Sequence, residues 1–289
     1  MTQKLILLLI PCLLAVGVVA CGDDPGSAQL NQDFTFRAND KFTYDYYQKD
    51  SNNVRDDASK QVVVWTVLRV GLDTLNKPDV AEIEEVRYDA TGTTEEGRSK
   101  IYMKTNTDGA VLVYDLVGTV LNRFSGGVDL TPYLDQVSKD WVTIGSTKDA
   151  NARVLANVFT PISKTLNNVV IPPLDPFDVR LEVDVRADHK GAMEITVPAG
   201  TYEKAYATDT KVFVGMSNVD PIIVASVPVP AGTTIVDDSV NIRYEIDINA
   251  GVLRQESDSK QFLAAGFFPT LISGYQMELT AVERAAVED

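Results

Sequence analysis

The residue types that carry most enzymatic chemistry are scarce in this chain, which holds one histidine, His189, and two cysteines, Cys12 and Cys21. His189 stands in the polar run Ala187-Asp188-His189-Lys190-Gly191, which reads as a hairpin turn and offers the imidazole no thiol or second histidine to work with. No Gly-x-Ser-x-Gly elbow and no glycine-rich phosphate loop occurs. So few histidines and thiols exclude zinc-type ligand sets, and no metal or cofactor is expected. Asn106 and Asp108 beside Gly109 supply the oxygens calcium takes, but without the order of an EF-hand loop, and they read as a turn. Two carboxylates facing across a cleft could hydrolyse a polysaccharide, yet spacing singles out no pair among 41 Asp and Glu. The expectation is a protein that binds rather than one that catalyses.

Against those 41 acids stand 26 Lys and Arg, a formal charge of -15. An acidic field of this size repels phosphate backbones and anionic headgroups, so nucleic-acid binding and polybasic membrane attachment are excluded as functions. The acids lie spread along the chain, in clusters no longer than Asp56-Asp57, Glu82-Glu84-Glu85 and Asp237-Asp238, and read as solvated faces.

The amino terminus carries Lys4, then an apolar run from Leu5 to Val19 broken by Pro11 and Gly17. The run is shorter than the roughly 18 residues of a spanning helix, and residues 1–20 read as a secretory leader. It ends in Val18-Val19-Ala20-Cys21, which resembles the lipobox of bacterial lipoproteins. That resemblance implies cleavage between Ala20 and Cys21, a diacylglyceryl thioether on Cys21, and acylation of the new amino group. At roughly 0.8 kcal/mol per buried CH2, two or three long chains hold a protein to its membrane effectively permanently. Residues 21–32 are polar and rich in turn formers, so they read as a tether, spanning at most roughly 36 Å from Gly22 to Gln32. Gly22 after Cys21 is similar to the outer-membrane class of such lipoproteins, implying a lipid-anchored place in the bacterial envelope, facing periplasm or surface.

Residues 33–289 read as a single β-rich domain. Val179, Leu181, Val183 and Val185 alternate with Arg180, Glu182, Asp184 and Arg186; Val240, Ile242, Tyr244, Ile246 and Ile248 alternate with Asn241, Arg243, Glu245 and Asp247. Strands with one dry and one wet face favour antiparallel sheet. Phe34, Phe36, Phe42, Tyr44 and Tyr46 share one parity about Asn39-Asp40 and predict an opening hairpin. Asp108-Gly109 and Asn249-Ala250-Gly251 predict two more, and further strands are expected at 62–70, 83–89, 192–197, 205–214 and 275–282. Between 127 and 168 the spacing turns helical: Leu130, Tyr133, Leu134 and Val137 with Pro132 in the first turn, then Val154, Leu155, Val158, Phe159, Ile162 and Leu166 around Pro161. The fold class expected is mainly β (α+β), a curved antiparallel sheet or half-barrel meander with a one- or two-helix insertion and a possible subdomain boundary in the proline-rich stretch 172–176.

Val-Pro-Ala-Gly-Thr occurs at Val197–Thr201 and again at Val229–Thr233, each a turn that releases the chain into a strand. With Tyr202 behind it, and Ala250-Gly251-Val252 some fifty residues on, the first copy resembles a group of bacterial envelope lipoproteins, although Leu253 departs from the group's second glycine. Some of these are similar to half-barrel carriers of lipids and lipoproteins, which implies a curved sheet wrapping an apolar ligand. The apolar segments that could line or cover such a site are Ile222-Ile223 and the run holding Phe262, Leu263, Phe267, Phe268, Leu271 and Ile272. The partners expected are the membrane, through acylated Cys21, and a lipid or acyl chain; a protein-interaction or assembly module of the envelope is the alternative, and a carboxylate-dependent polysaccharide hydrolase a third. Replacing Cys21 by Ser is expected to abolish metabolic labelling by palmitate and release the protein from the membrane fraction. A variant that stays in the pellet and keeps the label overturns the assignment.

Overall fold

The computed structural model describes residues 35–126, 129–137, 139–147, 155, 158–171, 174–224, 226–264 and 268–286. In chain order the elements are β1 (Lys41–Lys49), β2 (Arg55–Thr74), β3 (Lys77–Tyr88), β4 (Glu95–Thr105), β5 (Ala110–Tyr114), α1 (Leu116–Leu121), β6 (Phe124–Gly126), a 3-10 helix (Thr131–Gln136), β7 (Trp141–Ser146), β8 (Ile162–Val169), β9 (Phe177–Val197), β10 (Gly200–Asn218), β11 (Ile222–Val224), β12 (Val227–Val229), β13 (Thr234–Asp247), β14 (Gly251–Ser257), β15 (Lys260–Ala264), β16 (Phe268–Ile272) and β17 (Gly274–Glu283). Twelve strands form one sheet in the order β7-β5-β4-β3-β2-β1-β17-β14-β13-β10-β9-β8. Every neighbouring pair in it is antiparallel. The mainly β, curved antiparallel meander expected from the alternation is what the chain forms. β11 and β12 make a separate hairpin, and β15, β16 and β6 a small second sheet.

Alternation explains the core. Val179, Leu181, Val183 and Val185 of β9 are buried while Arg180 and Glu182 are exposed; on β13 Val240, Ile242, Tyr244 and Ile246 are buried and Asn241 is exposed, but Glu245 and Asp247, expected on the wet face, are buried too. The apolar side chains join Phe42, Tyr44, Trp65, Ile83, Met103 and Leu279 in one continuous cluster. The sheet curls until β7, its edge strand, packs on the faces of β9, β10 and β13. Gly145 permits that approach, since a Cβ there would sit 2.9 Å from Ile246 Cδ1. Beside β7, Thr143 N donates to Val158 O and Leu155 N to Ala187 O, at 3.1 and 3.0 Å, so residues 155 and 158 bridge the two ends of the sheet.

The hairpins at Asp108-Gly109 and Asn249-Ala250-Gly251 form as expected, joining β4 to β5 and β13 to β14. Both Val-Pro-Ala-Gly-Thr copies end at the start of a strand, β10 and β13. Thr131–Gln136 is helical, with Asp129 Oδ1 accepting from Thr131 N at 3.0 Å. Three expectations need correction. Ile162 and Leu166 lie on a strand, β8, rather than a helix: a spacing of four keeps one face of a strand as well as one face of a helix, so the two readings look alike here. The residues from Val158 to Pro161 are not helical either, and Val154 lies outside the described residues. Phe36 is in no strand, and Phe34 falls outside the described residues; buried Asp40 holds this segment instead, taking Arg37 N at 2.8 Å and Ala285 N at 2.9 Å. His189 is no turn residue but sits within β9, buried, its Nδ1 3.3 Å from Thr208 Oγ1 and its ring stacked on Tyr206. Asp188 and Lys190 flank it outward, so even this polar run keeps strand parity. The strands on either side of residues 172–176, β8 and β9, pair directly.

Gly274 opens β17 where a Cβ would run into backbone, with Asp258 C and Ser257 O both at 2.7 Å and Ser259 N closer still. Gly274→Ala is therefore expected to cost about 1–3 kcal/mol of stability by urea unfolding. Gly215→Ala, whose Cβ would make ordinary contact with Glu182 Cβ at 3.6 Å, is expected to be close to neutral.

Candidate ligand-binding cavity

The curl of the sheet leaves a cavity of about 680 Å³ between its inner face and α1. That volume falls within the roughly 300–1,000 Å³ of small-molecule sites. Its walls come from β1 to β5, α1 and the residues just after it, β7, β13, β14 and β17. Ile101, Met103, Val113, Leu116, Ile144, Val252 and Met277 supply apolar surface, and Tyr46, Trp65, Tyr244 and Tyr275 supply aromatic surface.

Pairing register builds the polar part. Trp65 on β2 lies opposite Glu85 on β3. Glu85, nearly buried, accepts from Trp65 Nε1 on one oxygen and from Arg87 Nε on the other, both at 2.9 Å. Burial works against the charge of Arg87, but the Glu85 carboxylate outweighs it and holds the guanidinium pKa above its usual value. Arg87 lies 5.0 Å from the Tyr46 ring centre. Tyr46 stacks on Tyr275 at 5.7 Å, and Arg123, just past α1, lies 4.5 Å from the Tyr275 ring. These four side chains form a continuous cation-aromatic series across the wall, a geometry that holds each ring and guanidinium in place. Gln255 Nε2 donates to the Tyr244 hydroxyl at 3.3 Å and also to that of Tyr275, whose pKa burial pushes up to about 12. The phenols are thus neutral and act as hydrogen-bonding groups.

At the other end of the wall Asp115, at φ 60°, caps α1 by accepting from Gly118 N at 3.2 Å, with Lys139 3.6 Å from its carboxylate. Burial pushes its pKa above the ordinary carboxylate value, against the pull of Lys139.

The apolar segments singled out by sequence lie on the two small sheets. Ile222 and Ile223 are on β11, paired with Val229 and Pro228, and Ile223 is 69% exposed. Phe262 and Leu263 are on β15, facing Thr270 and Pro269 of β16; Phe268 opens β16, while Leu271 and buried Ile272 pair with β6. Phe267, Ala20 and Cys21 fall outside the described residues. Among the described residues, none of Ile222, Ile223, Leu271 and Ile272 lines the cavity. A second hollow, about 580 Å³, opens on the outer face beside Arg186, Lys190, Asp209 and Arg243. Most of its charges are already matched, Lys190 to Asp188 and Asp209, and Arg243 to Asp209 and Glu245, while Lys211 lies over the Phe213 ring. The inner cavity is therefore the stronger site.

No known protein family matches the chain, and no curated protein is detectably related to it. Among solved structures it is distantly similar to a presumed lipoprotein from Parabacteroides distasonis, at 13% identity and a TM-score of 0.46, over 88% of this chain and 99% of that one. It is also similar to a presumed exported protein with a YmcC-like fold from Bacteroides fragilis, at 12% identity and a TM-score of 0.39, over 88% of this chain and 100% of that one.

A raised carboxyl pKa means that folded protein holds the Asp115 proton more tightly than unfolded chain does. The associated stability is complete below pH 3.8 and is lost as pH rises through the higher folded value. Asp115→Asn keeps an oxygen for the cap and tolerates φ 60°, but cannot ionise. The melting temperature of the parent relative to Asp115→Asn should therefore fall as pH rises from below 3.8. A difference that stays flat or grows contradicts the assigned shift.

Proposed function

We propose that the protein is a lipid-anchored binding protein of the bacterial cell envelope, held through Cys21, that takes a small ligand with a substantial apolar part into the inner cavity. The cavity itself carries this reading: its wall combines aromatic and aliphatic side chains with polar and charged groups held by fixed partners, as small-molecule sites do. The lipobox resemblance supports the anchor, and the curved sheet supports a carrier. The role is binding without chemistry, because the carboxylates at the wall already have structural work. Glu85 is tied to Trp65 and Arg87, and Asp115 caps a helix.

A second reading, an envelope interaction module, draws on the β11–β12 hairpin, where Ile223 and Val227 are 69% and 61% exposed.

The Cys21→Ser chain, exported, purified without detergent and weighed by native mass spectrometry, is expected to carry a discrete added mass that leaves on denaturation and extracts into organic solvent. Ile101→Trp, which fills the wall with an indole, should lose that mass while remaining folded. A clean monomer mass, with no uptake of a neutral apolar dye, removes the carrier reading and favours the exposed hairpin.

A further inference from the structure

We propose that the cavity receives an amphiphile with an anionic oxygen head, a carboxylate or phosphate on a single apolar chain, and that Arg123 takes the head. This rests on the binding role proposed above and deepens it.

The cations along the wall differ in one respect. Arg87 is paired with Glu85, Lys139 with Asp115, Arg98 with Glu84 and Glu95, and Lys100 with Glu82. Arg123 meets no carboxylate among the described residues. Its Nη2 donates to two neutral acceptors, Ser257 Oγ at 3.3 Å and the Ser273 carbonyl. Its Nη1 is buried and has no hydrogen-bond partner among the described residues. A guanidinium withdrawn from water without a counter-charge is expensive, and a buried donor without an acceptor adds to the cost. An anionic oxygen bound here would correct both at once, and the planar fork suits two oxygens of one head. Contact with the Tyr275 ring fixes the plane of the fork before any ligand arrives. Ile101, Met103, Val113, Val252 and Met277 offer the apolar surface along which a chain would lie.

The test uses the Cys21→Ser chain loaded with N-phenyl-1-naphthylamine, a neutral reporter, and competes the dye with dodecanoic acid, dodecyl phosphate and dodecanol. At least one of the two anions is expected to displace the dye about tenfold more effectively than dodecanol, the value of one charge-assisted hydrogen bond; which anion does so identifies the head. Arg123→Met should bring that preference below about threefold while leaving dodecanol displacement near the parent's. Arg123→Lys should cut it several-fold, since a point charge replaces the fork, and this variant decides the matter if Arg123→Met does not fold. Equal displacement by all three compounds overturns the proposal and leaves the binding role standing, as does a preference unchanged in the folded Arg123 variants. A parent chain that binds neither dye nor any dodecyl compound overturns the binding role and this proposal with it.

Discussion

The whole sheet hangs on one ladder between the first and the last strand. β1 pairs with β17 from Lys41 opposite Glu283 to Lys49 opposite Gly274, and in the strand order this seam alone joins the amino-terminal run β7 to β1 to the carboxy-terminal run β17 to β8. Both ends of the seam are locked by buried charge. At one end Asp40 binds the amides of Arg37 and Ala285 and lies 3.2 Å from Arg284. At the other, the largely buried Lys49 ammonium bonds Glu256 at 2.6 Å and Asp258 at 2.9 Å, while Ser259 Oγ donates to the Lys49 carbonyl and accepts from Gly274 N. A seam between residues so far apart in sequence repays its loop-closure entropy only late in folding. The cavity depends on it directly, because Tyr46 and Tyr275 stack across this pair of strands. Without the seam there is no aromatic wall and no fixed place for Arg123.

The Val-Pro-Ala-Gly-Thr turn at Val197–Thr201 belongs to the same arrangement. β14 covers β17 only from Ser257 opposite Tyr275 to Arg254 opposite Glu278, which leaves the rest of β17 without that neighbour. The β9–β10 hairpin reaches across, and Ala199 N donates to Leu279 O at 3.0 Å where the β14 ladder ends. Arg254 fastens it, binding the Thr196 carbonyl at 3.0 Å together with the carboxylates of Glu245 and Glu278. Glu245 is nearly buried yet meets two guanidiniums, Arg243 and Arg254, which is what a carboxylate needs when removed from water. The motif shields part of the edge of the last strand, a place where unpaired backbone would otherwise invite another chain.

Much of this fold is legible in the sequence because period-two patterning survives in long strands: β9 keeps it through the polar stretch Asp188–Gly191, where composition alone suggests a turn. What failed to show were features that period alone does not settle. α1 is six residues long, too short for a helical stripe to stand out, and the spacing of four from Ile162 to Leu166 in β8 fits strand and helix alike. The cavity was hidden for a different reason. Its wall draws one or a few side chains from each of many elements, and Trp65 meets Glu85 only through the β2–β3 register. A search for continuous apolar segments finds hairpins such as β11–β12 and β15–β16 instead, because a wall built from alternate residues of many strands never appears as a run. A pair of opposite charges at inward parity, Glu85 and Arg87 among the β3 residues facing the core, was the available signal.

The electrostatics of the inner and outer faces follow different rules. Outside, many Lys and Arg pair with acids on the same or a neighbouring strand, in exposed pairs worth little individually, and they leave the acidic excess to set the long-range field. That field disfavours any anion at a distance. Inside, aromatic and aliphatic walls lower the local dielectric, and an interaction over a few ångströms outweighs a screened field acting over tens. Glu85 and Arg87 settle their charges between themselves, whereas Arg123 finds only a serine hydroxyl and a backbone carbonyl. An acidic protein can therefore hold a small anion in its interior while repelling polyanions from its surface, because short-range pairing governs the first and the summed surface charge governs the second.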